Sequence, residues 1–311
     1  MYFPYLRGKQ FELIAVRELI ENGLINNKVI PVIEPIKPTA TLLKLLETCR
    51  QHDKNIAIIT NPKVGNFIEE YQSLNDDNYK KEYVKHLDST YITASHIINS
   101  NTTSDIENLV QKNFQKKDLL LVHNRTEFIK EYQENFNFDS PMYNLVPYDI
   151  QFKRNIKTNK ILLADRFPKQ ERNVDYLYEE DRYFSEDHLF YNEEGYKGFS
   201  DFSIVGSEFI ESGFAPMAVT IHIIYFDENG TLRIRHFVSD NNEDIQNPAG
   251  KFYEALTKLI EWNSTQKLNS HAINIFNQHY EKETYPGLGS LKKLSIMHHL
   301  EIMNDFLNEE K

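Results

Sequence analysis

The feature of this sequence that most constrains its fold is a series of short apolar runs, rich in β-branched residues, that alternate with segments of helical spacing. The runs lie at residues 29–34, 55–60, 91–98, 118–123, 143–147, 160–165, 202–206 and 217–226. Runs of this kind are typical of buried strands. Strands that alternate with helices favour crossover units and a mainly parallel sheet, because parallel neighbours need a long return path. The sequence therefore predicts an α/β fold.

Eight predicted strands favour a closed, TIM-barrel-like sheet, and an open doubly wound sheet is the alternative. Residues 218–238 predict a β-hairpin appended near the C-terminus, because Asn229-Gly230 suits a tight reversal. Helical spacing follows the hairpin at residues 252–260 and 290–307. The acidic, tyrosine-rich residues 169–199 show no clean period and predict a long loop or insertion. Without a repeat or a flexible linker, residues 1–311 are predicted to form a single barrel-like domain.

Composition narrows the class of protein. There are 35 Lys and Arg residues against 46 Asp and Glu residues, a net charge of −11, which disfavours nucleic acid as a partner. The single cysteine, Cys49, excludes an internal disulfide and multi-cysteine metal clusters, which fits a reducing compartment. No run of about 18 apolar residues occurs, and the N-terminus lacks the pattern of a signal peptide. We therefore expect a cytoplasmic protein without a membrane partner.

Polar side chains that follow the predicted strands are the candidate site. In a closed parallel barrel they converge at one mouth, where this architecture keeps its active sites. This placement selects three carboxylates and one histidine as candidate catalytic residues, namely Glu34, Asp165, Glu208 and His123. As ligand-binding residues it selects cations and an amide suited to a phosphate or carboxylate, namely Lys37, Asn61 and Arg166. For each of these residues alone, a structural or solvated loop position is the more common outcome.

Motifs that would settle the chemistry are missing from the sequence. The 11 histidines include no His-Glu-x-x-His, and no Gly-x-Ser-x-Gly elbow occurs. His222 lies in an alternating apolar run, so it could point into a barrel, although a hydrogen-bonded core histidine is the more common outcome. The sequence therefore leaves open whether the chain is an enzyme, and it indicates neither a metal nor a cofactor.

Several segments carry a family resemblance. They are residues 2–12, residues 30–35, residues 201–206 (Asp-Phe-Ser-Ile-Val-Gly) and residues 234–237 (Ile-Arg-His-Phe). Together they resemble a bacterial family first named from a myxobacterial genome, and they are also similar to phage-associated proteins called the beta protein family. The resemblance implies a gene encoded beside one partner family in mobile two-gene cassettes, and a part in conflict between bacteria and mobile elements such as phages. It carries no catalytic residue across.

These observations lead to three function hypotheses, of which the third is a purely structural partner with no working site. The first is an accessory or effector subunit of a mobile, anti-phage cassette that binds a ligand or partner at the barrel mouth. The second is a TIM-barrel hydrolase or phosphodiesterase that acts on a small phosphorylated or acidic molecule. For the first hypothesis we expect a co-encoded protein partner, and Tyr176, Tyr178 and Tyr183 are candidates either for its interface or for covering the chain's own core. The acidic residues around these tyrosines favour a basic partner.

Overall fold

The computed structural model describes residues 1–211 and 216–309, and its centre is a closed barrel of eight parallel strands. These strands are β1 (Tyr5–Leu6), β2 (Val32–Ile33), β3 (Ile56–Ile59), β4 (Ile92–Ile97), β5 (Leu120–Val122), β6 (Tyr143–Pro147), β7 (Lys160–Leu163) and β9 (Gly198–Ser200), each paired in parallel with the next. The ring closes where the amide of Phe3 donates to the carbonyl of Phe199 over 2.9 Å and the amide of Tyr5 to that of Asp201 over 2.8 Å. The predicted TIM-barrel-like fold is confirmed, and the open-sheet alternative is wrong.

Helices surround the barrel and extend beyond it. They are α1 (Gln10–Glu21), α2 (Ala40–Gln51), α3 (Phe67–Ser73), α4 (Asp77–Leu87), α5 (Thr102–Gln111), α6 (Ile129–Phe136), α7 (Ile150–Asn155), α8 (Asp187–Phe190), α9 (Pro248–Gln266), α10 (His271–Glu281) and α11 (Leu288–Glu309). Short 3₁₀ segments occupy Lys116–Asp118, Thr126–Phe128 and Asn173–Glu179. Within the described residues, no helix combines the length and the apolar character needed to cross a bilayer.

A second, antiparallel sheet packs beside the barrel. It contains β10 (Thr220–Phe226), β11 (Leu232–Val238) and, at its edge, β8 (Asp181–Ser185). β10 and β11 form the predicted hairpin, whose turn is fixed by the Asp227 carboxylate, because it accepts the amides of Asn229 and Thr231 over 2.8 and 3.0 Å. Residues 169–199, predicted as a loop or insertion, thus supply one strand to this sheet and lead into β9.

Two of the predicted barrel strands are not part of the barrel. Residues 202–206 form turns just after β9, where Ser203 and Gly206 have φ angles of +48° and +74°, values that interrupt a strand. Residues 217–226 contain β10, which pairs with β11 and not with the barrel. The two places in the barrel belong instead to β1, at the N-terminus, and to β9.

The core has two layers around the barrel wall. Side chains of alternate strand residues fill the interior, among them Phe3, Val32, Ile59 and Leu145, all at most 2% exposed. The outward side chains join the surrounding helices and the second sheet in one larger apolar cluster. Helix α11 contacts both α1 and β10, so it ties the second sheet to the barrel wall.

Candidate functional site

The mouth of the barrel, at the C-terminal ends of its strands, is filled by a plug of four side chains: Tyr5, Arg7, Glu34 and Phe202. The rings of Tyr5 and Phe202 lie 4.9 Å apart, and the guanidinium of Arg7 lies 5.1 and 5.3 Å from their centroids. Arg7 also pairs with the carboxylate of Glu34, which is completely buried. A cation on aromatic faces and against a buried carboxylate is held in one orientation. The plug is therefore a cluster of fixed geometry at the mouth.

Both carboxylate oxygens of Glu34 accept hydrogen bonds from groups within the protein. One oxygen accepts the Tyr5 hydroxyl over 2.8 Å and the Arg7 guanidinium, and the other accepts the backbone amide of Lys63 over 2.7 Å. Gly8 makes this arrangement possible, because its φ is +64° and a Cβ there would lie 2.9 Å from the Glu34 carbonyl oxygen. The backbone after β1 thus approaches Glu34 at a position that only glycine fits.

Asp165 lies at the same end of the barrel as Glu34 and is connected to the plug. Its carboxylate accepts the backbone amides of Phe167 over 3.1 Å and Ser207 over 2.8 Å. The carbonyl of Ser207 in turn accepts the Arg7 guanidinium. Both Asp165 bonds are to backbone amides, so the side chain organises the two loops that follow β7 and β9.

The other residues selected from the sequence do not converge on one cavity. Asn61 exchanges two hydrogen bonds with the backbone of Ile97, at 2.8 and 2.9 Å, and so extends the pairing between β3 and β4. Lys37 lies 3.7 Å from Glu70 on the surface. Arg166 forms a bidentate ion pair with Asp187 of α8, in which its Nη2 and Nε lie 2.6 and 2.8 Å from the two carboxylate oxygens. Each of these side chains is occupied by a structural contact.

Glu208 and His123 differ in their surroundings. Glu208 is on the surface, with 69% of its side chain exposed, and it contacts the Lys169 amine at 2.5 Å. His123 is buried on the outer side of the barrel wall, against Tyr132 of α6 and Phe152 of α7, and its Nε2 lies 3.0 Å from the Asn144 side-chain oxygen. Burial lowers the pKa of His123 to about 4. His123 is therefore a neutral packing residue that does not face the mouth.

Residues that the sequence analysis did not select hold the mouth together. Tyr5 and Arg7 were missed because the N-terminal segment was not predicted to be a strand. The alternation of Phe3, Tyr5 and Arg7 was the available signal, since every second residue of a strand faces the same side. The strand interpretation would have placed all three inside the barrel or at its mouth.

A second buried polar network lies between the barrel and α11. One oxygen of Asp201 accepts both the Tyr2 hydroxyl and the Ser203 amide, each over 2.7 Å. Burial is the main cause that raises the pKa of Asp201 to about 7. The Ser203 hydroxyl lies 3.0 Å from Nδ1 of His299, whose pKa burial lowers to about 3. Ser203 and His299 are both fully buried, so this serine and histidine cannot reach a substrate and serve to anchor α11.

The three tyrosines proposed for an interface differ in how far they are exposed to solvent. Tyr176 is 4% exposed and packs against Phe167 and His236, so it is a core residue. Tyr178 and Tyr183 are 85% and 53% exposed, and they flank the start of the edge strand β8. Of the three, only Tyr178 and Tyr183 expose enough surface to contact a protein partner.

Comparisons with known proteins add no relative: no family model, no curated protein and no solved structure matches this chain. Over residues 1–211 and 216–309, no three His, Cys, Asp or Glu side chains come together as ligands for a metal ion. The geometry of the site thus has to be interpreted from its own residues.

Proposed function

We propose that this chain is an accessory or effector subunit of a mobile, anti-phage two-protein cassette, that it acts in the cytoplasm, and that it works by recognition around the barrel mouth. The observation that carries the proposal is the plug. A general acid or base must be within hydrogen-bonding distance of the proton that it moves. Glu34, the most central carboxylate, is buried and accepts three internal donors instead. A mouth whose carboxylate is already paired with internal donors favours a binding function over hydrolysis of a substrate.

The remaining candidates for acid–base chemistry support the same conclusion. Asp165 is committed to two backbone amides, and His123 is buried on the far side of the barrel wall. Glu208 is exposed and paired with Lys169, which leaves it without a second carboxylate as a partner. A hydrolase or phosphodiesterase of this fold would need at least one of these groups to be free and aimed at the substrate.

The edge of the second sheet is the surface that we assign to the co-encoded partner. Tyr178 and Tyr183 expose aromatic rings there, and amphipathic rings of this kind are enriched in protein interfaces. Glu179 and Glu180, each at least half exposed, lie in the same segment, where they contact Arg182 and Arg235. A partner with basic side chains would complement them, and its association should weaken as salt rises, because exposed charges are screened over about 8 Å at physiological ionic strength.

The test is co-purification of this chain with the product of the neighbouring gene. The variant carries Tyr178→Ala and Tyr183→Ala, and it leaves the buried Tyr176 in place. The matched control is Phe138→Ala, which removes an aromatic ring that is 96% exposed in the loop before β6, at the opposite end of the barrel. We expect the intact chain and the control to retain the partner and the double variant to lose it.

Two outcomes would count against the proposal. Full retention by the folded double variant would exclude the β8 edge as the interface. Failure of the intact chain to retain the neighbouring protein at low salt would remove the two-protein proposal itself.

A further inference from the structure

A cleft of about 880 Å³ opens beside the mouth, between the loops that follow β7 and β9, the start of β10 and helix α11. Its volume is in the range of small-molecule sites. Phe167 and Tyr176 line one side, and Ile204 and Leu291 line another. We propose that this cleft binds an organic anion, a molecule with an apolar body and a phosphate or carboxylate group. The proposal concerns a ligand and stands apart from the protein interface at β8.

The charge of the cleft indicates an anion. Among the described residues that line it, three are cationic, Lys169, Arg172 and Lys292, and one is anionic, Glu171. The whole chain has a net charge of −11, so this excess of cations is local. A concave surface of one sign raises the concentration of ligands of the opposite sign.

Lys9 adds a further cation beside the cleft. Its amine donates to the carbonyl of Ile210, another lining residue, over 2.5 Å. Burial is the main cause that lowers the pKa of Lys9; the charges of Lys292 and Lys169 also lower it, and the carboxylates of Glu12 and Glu211 raise it. Cations from three separate segments therefore lie close together with carboxylates near them, and an anion that displaces an exposed carboxylate would keep these cations paired.

Two of the three lining cations have exposed partners that a ligand can replace, whereas Lys292 lies 3.5 Å from the buried carboxylate of Glu12. Arg172 pairs with Asp175 at 2.7 Å while 72% of its side chain is exposed, and Lys169 pairs with the exposed Glu208. Exposed ion pairs of this kind are worth at most about 1 kcal/mol. An anion seated in the cleft can thus take over part of their hydrogen bonding.

Two histidines at the floor of the cleft provide a hydrogen-bond donor of fixed direction. His222 lines the cleft, and its Nδ1 lies 2.7 Å from Nδ1 of His236. Burial lowers the pKa of both residues, to about 4 for His236, so both rings are neutral and one Nδ1 must donate to the other. Nε2 of His236 is buried without a partner among the described residues.

The unpartnered nitrogen decides which tautomer is present. A buried N–H without an acceptor is less tolerable than a bare lone pair, so His236 carries its hydrogen on Nδ1 and donates it to His222. His222 then carries its hydrogen on Nε2, which has no acceptor among the described residues. We assign this N–H as the donor that meets an oxygen of the ligand, with the apolar walls around the rest of the molecule.

The experiment is calorimetric titration of the full chain with three probes that share one ring system. 1-Naphthyl phosphate and 1-naphthoate carry the two anionic groups, and 1-naphthol is the neutral control. We expect saturable binding of at least one anion with a dissociation constant below about 1 mM, and binding of 1-naphthol that is about tenfold weaker or more. The stronger of the two anions identifies the ligand's charged group.

Variants locate the binding to the cleft. Arg172→Gln and Lys169→Gln remove exposed cations without opening the core, and each should weaken binding of the anion about tenfold. Lys117→Gln, an exposed lysine just before β5 at the far end of the barrel, should leave it unchanged. Equal binding of 1-naphthol and the anions, unchanged affinity in both cleft variants, or no saturable binding of either anion would each overturn the proposal.

Discussion

Replacement of Glu34 by Gln tests whether the plug is held as described. The change keeps the size of the side chain but removes the negative charge that faces Arg7. The glutamine amide also places either an NH₂ group or a weaker acceptor oxygen against the three groups that donate to Glu34. Removal of one partner from a buried ion pair costs about 3–5 kcal/mol. Arg7 keeps its contacts with Ser207 and with two rings, and 13% of its side chain is exposed, so we expect about 3 kcal/mol.

That free energy converts into a measurable melting shift. Unfolding entropies of about 2.1 cal/mol/K per residue give about 0.65 kcal/mol/K for 311 residues, so the melting temperature should fall by about 5 °C. Differential scanning calorimetry of intact protein, Glu34→Gln and the control Glu208→Gln is the assay. Glu208 forms an exposed pair, and its variant should shift by about 1 °C or less. A Glu34→Gln protein that melts within 1 °C of the intact chain would refute the buried-pair reasoning.

Three further predictions concern the backbone, the pH dependence and the domain organisation. Gly8→Ala should lower stability by about 1–2 kcal/mol more than Gly195→Ala in thermal denaturation, because both glycines have positive φ but only the Cβ at position 8 meets the Glu34 carbonyl. The buried Asp201 has its pKa raised to about 7, so its contribution to stability is lost as pH rises from about 4 to about 7. Asp201→Asn should accordingly match the intact chain near pH 4 and melt higher at pH 8, and equal melting at pH 8 would contradict the assignment. A fragment of residues 1–168 should not fold by itself, because it lacks β9, and a cooperative melting transition of that fragment would indicate two domains.

The barrel could be predicted from the sequence because most of its strands are recognisable from a short local run of residues. β3 is a continuous apolar run that is buried throughout, as expected for a strand of a parallel sheet covered by helices. β1 was missed because Tyr5 and Leu6 form a strand of only two residues without a β-branched side chain, unlike the Val32–Ile33 strand with which it pairs. The sequence predicted the hairpin of β10 and β11 but not that β10 lies outside the barrel, because the barrel places taken by β1 and β9 are decided by contacts distant in sequence.

The candidate site was predictable in position but not in chemistry. Glu34 and Asp165 do lie at one end of the barrel, as their places after strands predicted. Their partners could not be inferred, because the Ser207 amide that holds Asp165 is 42 residues away along the chain and the hydroxyl that holds Glu34 belongs to the unpredicted β1. His123 was misplaced for a simpler reason: a residue at a strand end can face either side of the wall, and this one faces outward.

The central claim, recognition at the mouth without hydrolysis there, is tested most directly by an assay for phosphodiester cleavage. The intact chain and Glu34→Gln are incubated with bis(4-nitrophenyl) phosphate, with and without added Mg²⁺ or Mn²⁺, and release of 4-nitrophenol is followed. We predict that neither protein exceeds the rate in buffer under any of these conditions. Turnover by the intact chain that disappears in a folded Glu34→Gln protein would contradict the claim and make Glu34 a catalytic residue.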